Sequence, residues 1–171
     1  TAGGTSPRGG VVFGTGANTL LGTLSIGGDL TPNTGTNVLG SDINALTVGR
    51  LNIENGTVTL NGAAFVSDYL SSLIASGVLV AQRGVTFAGV LDWTGGTVVA
   101  ASGTQFRVSG RLNLSAGART LSGRLVTDGT SLWNGGSLDL SSATIVNNGA
   151  MEVAVATGQL RANGGAGGNT F

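Results

Sequence analysis

Apolar and polar residues alternate in short runs along most of this chain. Leu51-Asn52-Ile53, Val58-Thr59-Leu60, Phe106-Arg107-Val108 and Leu138-Asp139-Leu140 each place an apolar side chain at every second position. That is the period of a strand with one buried face. Turn-forming pairs break the runs every few residues: Asn55-Gly56, Asn61-Gly62, Ser109-Gly110, Asp128-Gly129 and Asn148-Gly149. Such pairs mark tight changes of direction, so the chain reads as many very short strands joined at corners.

The strands also repeat. Leu91-Asp92-Trp93-Thr94-Gly95-Gly96-Thr97-Val98 returns as Leu132-Trp133-Asn134-Gly135-Gly136-Ser137-Leu138, with the two tryptophans 40 positions apart. Arg111-Leu112-Asn113-Leu114 and Met151-Glu152-Val153 fall between and after them, giving a unit of about 20 residues,. Leu24-Ser25-Ile26-Gly27-Gly28-Asp29-Leu30 returns more loosely as Leu46-Thr47-Val48-Gly49-Arg50-Leu51. A unit this small cannot bury its own apolar face, whereas stacked units share one continuous core. Asn-Gly and Asp-Gly pairs also serve antiparallel hairpins, so a β-sandwich is the competing architecture. The short strands and the return of the same residue types at coil length favour a parallel β-solenoid.

One stretch breaks the alternation. Tyr69, Leu70, Leu73 and Ile74 are spaced as on a helix face, with Ser67 as N-cap, Asp68 in the first turn and Gly77 at the C-terminal cap,. This predicts a short helix at 68–76, inserted in the coil as the segment 67–77, packing on the solenoid or shielding an edge. The expected organisation is a Gly-rich arm at 1–10, the solenoid at 11–160 and a Gly-rich tail at 161–171.

Composition narrows the function classes. Charged residues make up 9% of the chain, against roughly 25% in ordinary domains,. Eight arginines balance eight acids, and there is no Lys, His or Cys. A near-neutral chain has little electrostatic drive toward nucleic acid or anionic membranes. Without His and Cys, the usual general base, the thiolate nucleophile and the zinc-thiolate site are missing. No apolar run is long enough for a membrane-spanning helix, so no membrane insertion is expected. Residues 1–10 lack the charged and apolar regions of a signal peptide,.

The run LDWTGGTVVAASGTQFRVSGRLNLSAGARTLSGRLVTDGTSLWNGGSLDLSSATIVNNGAMEV resembles the β-strand repeats of large secreted bacterial surface proteins, the autotransporter-like and adhesin passenger regions. The likeness lies in W-T-G-G, L-N-L-S-A-G-A, T-L-S-G-R and N-N-G, and covers about residues 90–155. Gly22 to Gly62 is a weaker match. The resemblance implies a right-handed β-helix outside the cell, serving as a stalk, adhesin or envelope structure, and it carries no catalytic residues over.

Candidate residues are few. Trp93 and Trp133 either stack as a sugar-binding platform or fill matching core positions; their setting before Gly-Gly favours packing,. Arg107, Arg111, Arg119 and Arg124 are the one concentration of charge, a candidate lateral stripe for an anionic polysaccharide or acidic partner, with scattered solvated cations as the plainer reading,. The acids are mostly isolated along the chain; Asp92 finds no acid at Leu132, and only Asp128 and Asp139 are candidates for neighbouring corners. No catalytic, cofactor or metal residues are assigned, and no cofactor is expected. Phe171 is a candidate subunit contact.

These observations support a non-catalytic structural module outside the cell or on its surface, a stalk or a fibre subunit whose partner is itself, end to end. The alternative is an adhesin-type module that binds a surface glycan or protein laterally. A polysaccharide-degrading β-helix enzyme stands last, for want of clustered acids.

Overall fold

The computed structural model describes residues 11–13, 15–20, 24–32, 34–40, 46–67, 71–154 and 159–163. Their strands, in chain order, are β1 (Val11–Phe13), β2 (Ala17–Leu20), β3 (Leu24–Pro32), β4 (Thr36–Leu39), β5 (Leu46–Ile53), β6 (Thr57–Leu60), β7 (Ala64–Val66), β8 (Ser72–Ile74), β9 (Val78–Ala81) and β10 (Val85–Phe87). They continue as β11 (Val90–Trp93), β12 (Gly96–Ala100), β13 (Phe106–Val108), β14 (Arg111–Leu114), β15 (Ala118–Thr127), β16 (Ser131–Trp133), β17 (Ser137–Asn147), β18 (Met151–Val153) and β19 (Gln159–Asn163).

These strands form an all-β parallel solenoid in which each coil contributes to three ladders. The first ladder runs through the start of β3 and of β5, then β7, β10, β13 and the ends of β15 and β17. The second runs through β1, the ends of β3 and β5, then β8, β11, β14, β16 and β18. The third runs through β2, β4, β6, β9, β12, the starts of β15 and β17, and β19. Every pairing is parallel between successive coils, which rules out the hairpin-built sandwich. Register offsets range from 18 residues (Leu46 to Ala64) to 23 (Val98 to Leu121), centred on the expected 20.

Parallel register puts like positions on top of one another. Ile53, Ile74, Trp93, Leu114 and Trp133 make one inward column of the second ladder, so the two tryptophans share a column with Leu114 between them. Val58, Leu79, Val98, Leu121 and Leu140 make another on the third. Nearly all of these side chains are fully buried in one continuous core. Each contributes about 1.5–3 kcal/mol by leaving water. Phe106 meets Phe87 and Trp93 edge-on, at centroid distances of 5.6 and 5.9 Å, which ties the first ladder to the second across the core,.

The described part of the segment expected as a helix contains no helix. Residues 68–70 lie outside the described residues, but Ser72–Ile74 is β8, paired with β5 and β11. Ser72 and Ile74 are buried while Leu73 is half-exposed, a period-two pattern. The Ser72 hydroxyl is accommodated inside because Oγ accepts the Leu51 N–H at 3.0 Å. An isolated turn of helix satisfies few backbone groups, whereas a strand here finds ladders on both sides, and tertiary pairing overrides the local spacing. Of the two expected arms, residues 1–10 and 164–171 lie outside the described residues; Arg161 to Asn163 belong to β19, paired with β17.

The turn glycines seen in the sequence are coil corners. Between the first and second ladders a Cβ on Gly129 would stand 1.8 Å from the Gly110 carbonyl oxygen, and one on Gly149 would stand 1.9 Å from that of Gly129. Only glycine lets successive corners approach this closely. Gly129→Ala is therefore expected to lower the unfolding free energy by more than about 3 kcal/mol. Gly103→Ala, at φ +77° but with nothing within 4 Å of the new methyl, should lose only about 1–2 kcal/mol. Urea denaturation of both variants checks the contrast; equal losses would mean that steric contact between coils does not limit the corner.

Candidate functional site

Trp93 is fully buried and Trp133 nearly so, and neither presents a ring face to solvent. The Trp133 indole donates to the Gly135 carbonyl at 2.9 Å, closing its own corner. The outward positions of the second ladder run Leu73, Asp92, Asn113, Leu132, Glu152. Asp92 accepts from the Asn113 amide at 2.6 Å, and Arg111 Nε donates to Asn113 Oδ1 at 2.8 Å. The outward positions of the third ladder are mostly uncharged over its middle coils: Thr57, Val78, Thr97 and Thr120 in one column, Thr59, Val80, Val99 and Ser122 in the next.

The four arginines grouped by sequence are not brought together. Arg107, on the first ladder, donates from Nε to Asp128 at 2.6 Å. Arg111 is the first residue of β14 in the second ladder, and Arg124 is exposed at the corner between the third and first. Arg119 is inside the core, with none of its surface exposed. Asp128 and Asp139 do not share a corner either. Asp128 follows the first ladder, whereas Asp139 lies on the third, in register with Thr120 and Arg161. The Asn148 amide and the Arg107 guanidinium hold the Asp128 carboxyl below the usual carboxylate range, Asn148 contributing most,. Among the described residues no group of three or more acids is placed to hold a metal ion. Phe171 lies outside the described residues.

Arg119 occupies an inward position in register with Gly96 in the coil before and Leu138 in the coil after. Nη1 donates to the carbonyls of Trp93 (3.3 Å) and Ser115 (2.7 Å), and Nη2 to that of Gly135 (2.6 Å). Those carbonyls belong to three successive coils at one corner. The guanidinium carbon also lies 5.9 Å from the Trp133 ring centroid,. Burial brings the Arg119 pKa down to about 10, so it remains a cation at neutral pH. A planar fork with five donors is the one side chain that reaches three carbonyl layers in this way. The arrangement fastens the corner by joining three coils.

A different feature has the form of a binding site. At the corner between the third and first ladders, Ala101-Ser102-Gly103-Thr104-Gln105 bulge outward before β13. The register shows why. Offsets to the next coil are 23 residues before this corner (Val98 to Leu121) and 19 after it (Phe106 to Leu125). The coil above, where β15 runs on through the bend, therefore takes four fewer residues round it, and the loop stands out as a ledge. One coil further up, β17 carries a bulge with Ser142 as the extra residue at φ 52°. The ledge and the two tighter bends enclose an open recess of about 550 Å³, lined by Ser102, Thr104, Gln105, Ser122, Arg124, Ser142 and Thr144 among others. Of the lining residues, sequence reasoning picked out only Arg124. The hydroxyl and amide groups were missed, although the long interval between Val98 and Leu121 was a usable signal.

No protein-family model, curated protein or solved structure matches the chain. The likeness to β-helix repeat proteins therefore rests on the parallel three-ladder coil itself.

The Arg119 cage yields a stability test. Arg119→Ala removes three carbonyl partners and leaves a cavity, and should lower the unfolding free energy by about 3 kcal/mol or more. Arg119→Met, which refills the volume without the donors, should lose less. Unchanged urea midpoints in both variants would show that the cage contributes nothing.

Proposed function

We propose that this chain is a non-catalytic structural module of a bacterial cell envelope, a right-handed β-solenoid stalk or fibre subunit working outside the cell. Right-handedness is the sense expected of parallel crossovers. The observation that carries the reading is at the C-terminal end of the described solenoid. Met151, Val153 and Leu160 are 43%, 59% and 44% exposed. They stand in columns whose occupants one coil earlier, Ser131, Trp133 and Leu138, are buried. Among the described residues no strand pairs with β18 or β19 on that side, so both offer backbone groups to a further parallel strand,. A coil stacked there would extend both the core and the ladders, by the same interactions that hold the rest together. The function is then mechanical, setting distance and stiffness. The largely uncharged Thr and Val columns of the third ladder suit a surface of this kind, without the dense charge that nucleic acid demands.

A second reading, an adhesin-type module that holds a glycan or protein on its lateral face, is favoured by the corner recess. Surface location, bacterial origin and the resemblance to autotransporter-like passengers belong to both readings.

For the first reading, the chain in solution should form rods longer than one subunit, visible by negative-stain electron microscopy and light scattering. Val153→Arg, which puts a charge into the open column, should reduce them to monomers with unchanged circular dichroism. A monodisperse wild-type monomer at high concentration, with no filaments, contradicts end-to-end assembly.

A further inference from the structure

Cations elsewhere on the described solenoid are mostly engaged. Arg50 pairs with Asp29 at 2.8 Å, Arg107 with Asp128, Arg111 with Asn113, Arg161 with Gln159, and Arg119 is held by carbonyls. Arg124 is exposed, lines the recess, and has no acid or other hydrogen-bonding partner against it among the described residues. Arg83, in the corresponding corner one coil earlier, does not line the recess. A guanidinium fork left open in a concavity is suited to a planar carboxylate, which it holds through two parallel N–H···O bonds.

The rest of the lining defines what carries that carboxylate. Ser102, Ser122, Ser142 and Thr144 offer hydroxyls and Gln105 an amide, groups that both donate and accept,. The apolar contribution is limited to methyl-sized surface from Ala100, Ala101 and the threonines, so no pocket exists for a large apolar side chain. Nor is there a free strand edge, because β12, β15 and β17 are each paired on both sides in the third ladder. A peptide would find neither a ladder to join nor an anchor pocket. A ligand that is itself a surface of hydroxyls with one carboxylate per ring meets every group present. The walls are built in advance: Thr104 N–H donates to the Ala101 carbonyl at 3.0 Å and Thr104 Oγ1 to the same carbonyl at 2.8 Å, closing a tight turn with Gly103 at its bend. On the opposite side the β17 bulge holds Ser142 in the left-handed region, a conformation that persists only where the surroundings impose it,. A volume of about 550 Å³ lies within the range of small-ligand sites,.

We infer that the corner recess is a binding site for an acidic oligosaccharide, a uronate-containing glycan segment whose carboxylate is held by Arg124 while the hydroxyl and amide groups of Ser102, Gln105, Ser122, Ser142 and Thr144 meet its ring hydroxyls. The inference rests on the lateral-binding reading and gives it a ligand class; it is independent of whether the chain polymerises.

The test is titration calorimetry of the purified chain with three probes, tetragalacturonate, a hyaluronan tetrasaccharide and an alginate tetramer, beside the fully methyl-esterified tetragalacturonate as a neutral twin. At least one acidic probe should bind, at least tenfold more tightly than the neutral twin where tetragalacturonate is the binder, and more weakly as salt is raised. Arg124→Ala should weaken binding at least tenfold, with Arg124→Lys in between and Arg107→Ala unchanged; Arg124 is exposed, so these variants keep the wild-type circular dichroism. Failure of all three acidic probes to bind overturns the site. So does binding that Arg124→Ala leaves intact, which would put the glycan elsewhere on the lateral face and leave that broader reading standing. An Asp/Glu-rich peptide that binds more tightly than every saccharide also overturns it.

Discussion

Parallel hydrogen bonding between one coil and the next is the constraint on which the rest of this structure depends. It holds each residue over another about 20 positions away, so identity at one position acts on its neighbours above and below. Apolar columns then grow without any unit being stable alone. The same constraint brings backbone against backbone at the corners, where the Gly110, Gly129 and Gly149 series leaves no space for a methyl group. Slack in the constraint is confined to corners, whose residue count can change without disturbing the ladders on either side.

That slack is where individuality enters. Within the ladders, variation is limited to what fits a column, as when Leu114 separates Trp93 from Trp133. At a corner, four additional residues produce a ledge and one additional residue produces the Ser142 bulge. The candidate site arises from that mismatch between adjacent coils. A solenoid can therefore acquire a concave surface feature at little expense to its core.

Most of the architecture was legible in the sequence because period two and a coil-length repeat are both direct consequences of stacking. Leu112-Asn113-Leu114 and the Trp93–Trp133 spacing pointed to columns that the register reproduces. The stretch around Leu73 and Ile74 misled because helical spacing is a local signal, and the pairing that turns Ser72–Ile74 into strand comes from coils 21 residues earlier and 19 later. Arg119 could not be told from the surface arginines, since its burial depends on carbonyls of three coils. The recess was hidden for a related reason: Arg124 and Ser142 become neighbours only once the lengths of successive coils are compared.

The stacking itself is open to a direct chemical measurement, because the chain has no cysteine of its own. Thr97 and Thr120 are in-register neighbours on the outward face of the third ladder, 23 residues apart, at a strand separation of about 4.8 Å that a disulfide can span. The double variant Thr97→Cys/Thr120→Cys should oxidise almost completely in the folded state, while Thr97→Cys/Leu121→Cys, one residue out of register and facing the core, should stay reduced. A folded Thr97→Cys/Thr120→Cys protein that remains a dithiol under the same oxidant would contradict the coil-on-coil register and the account built on it.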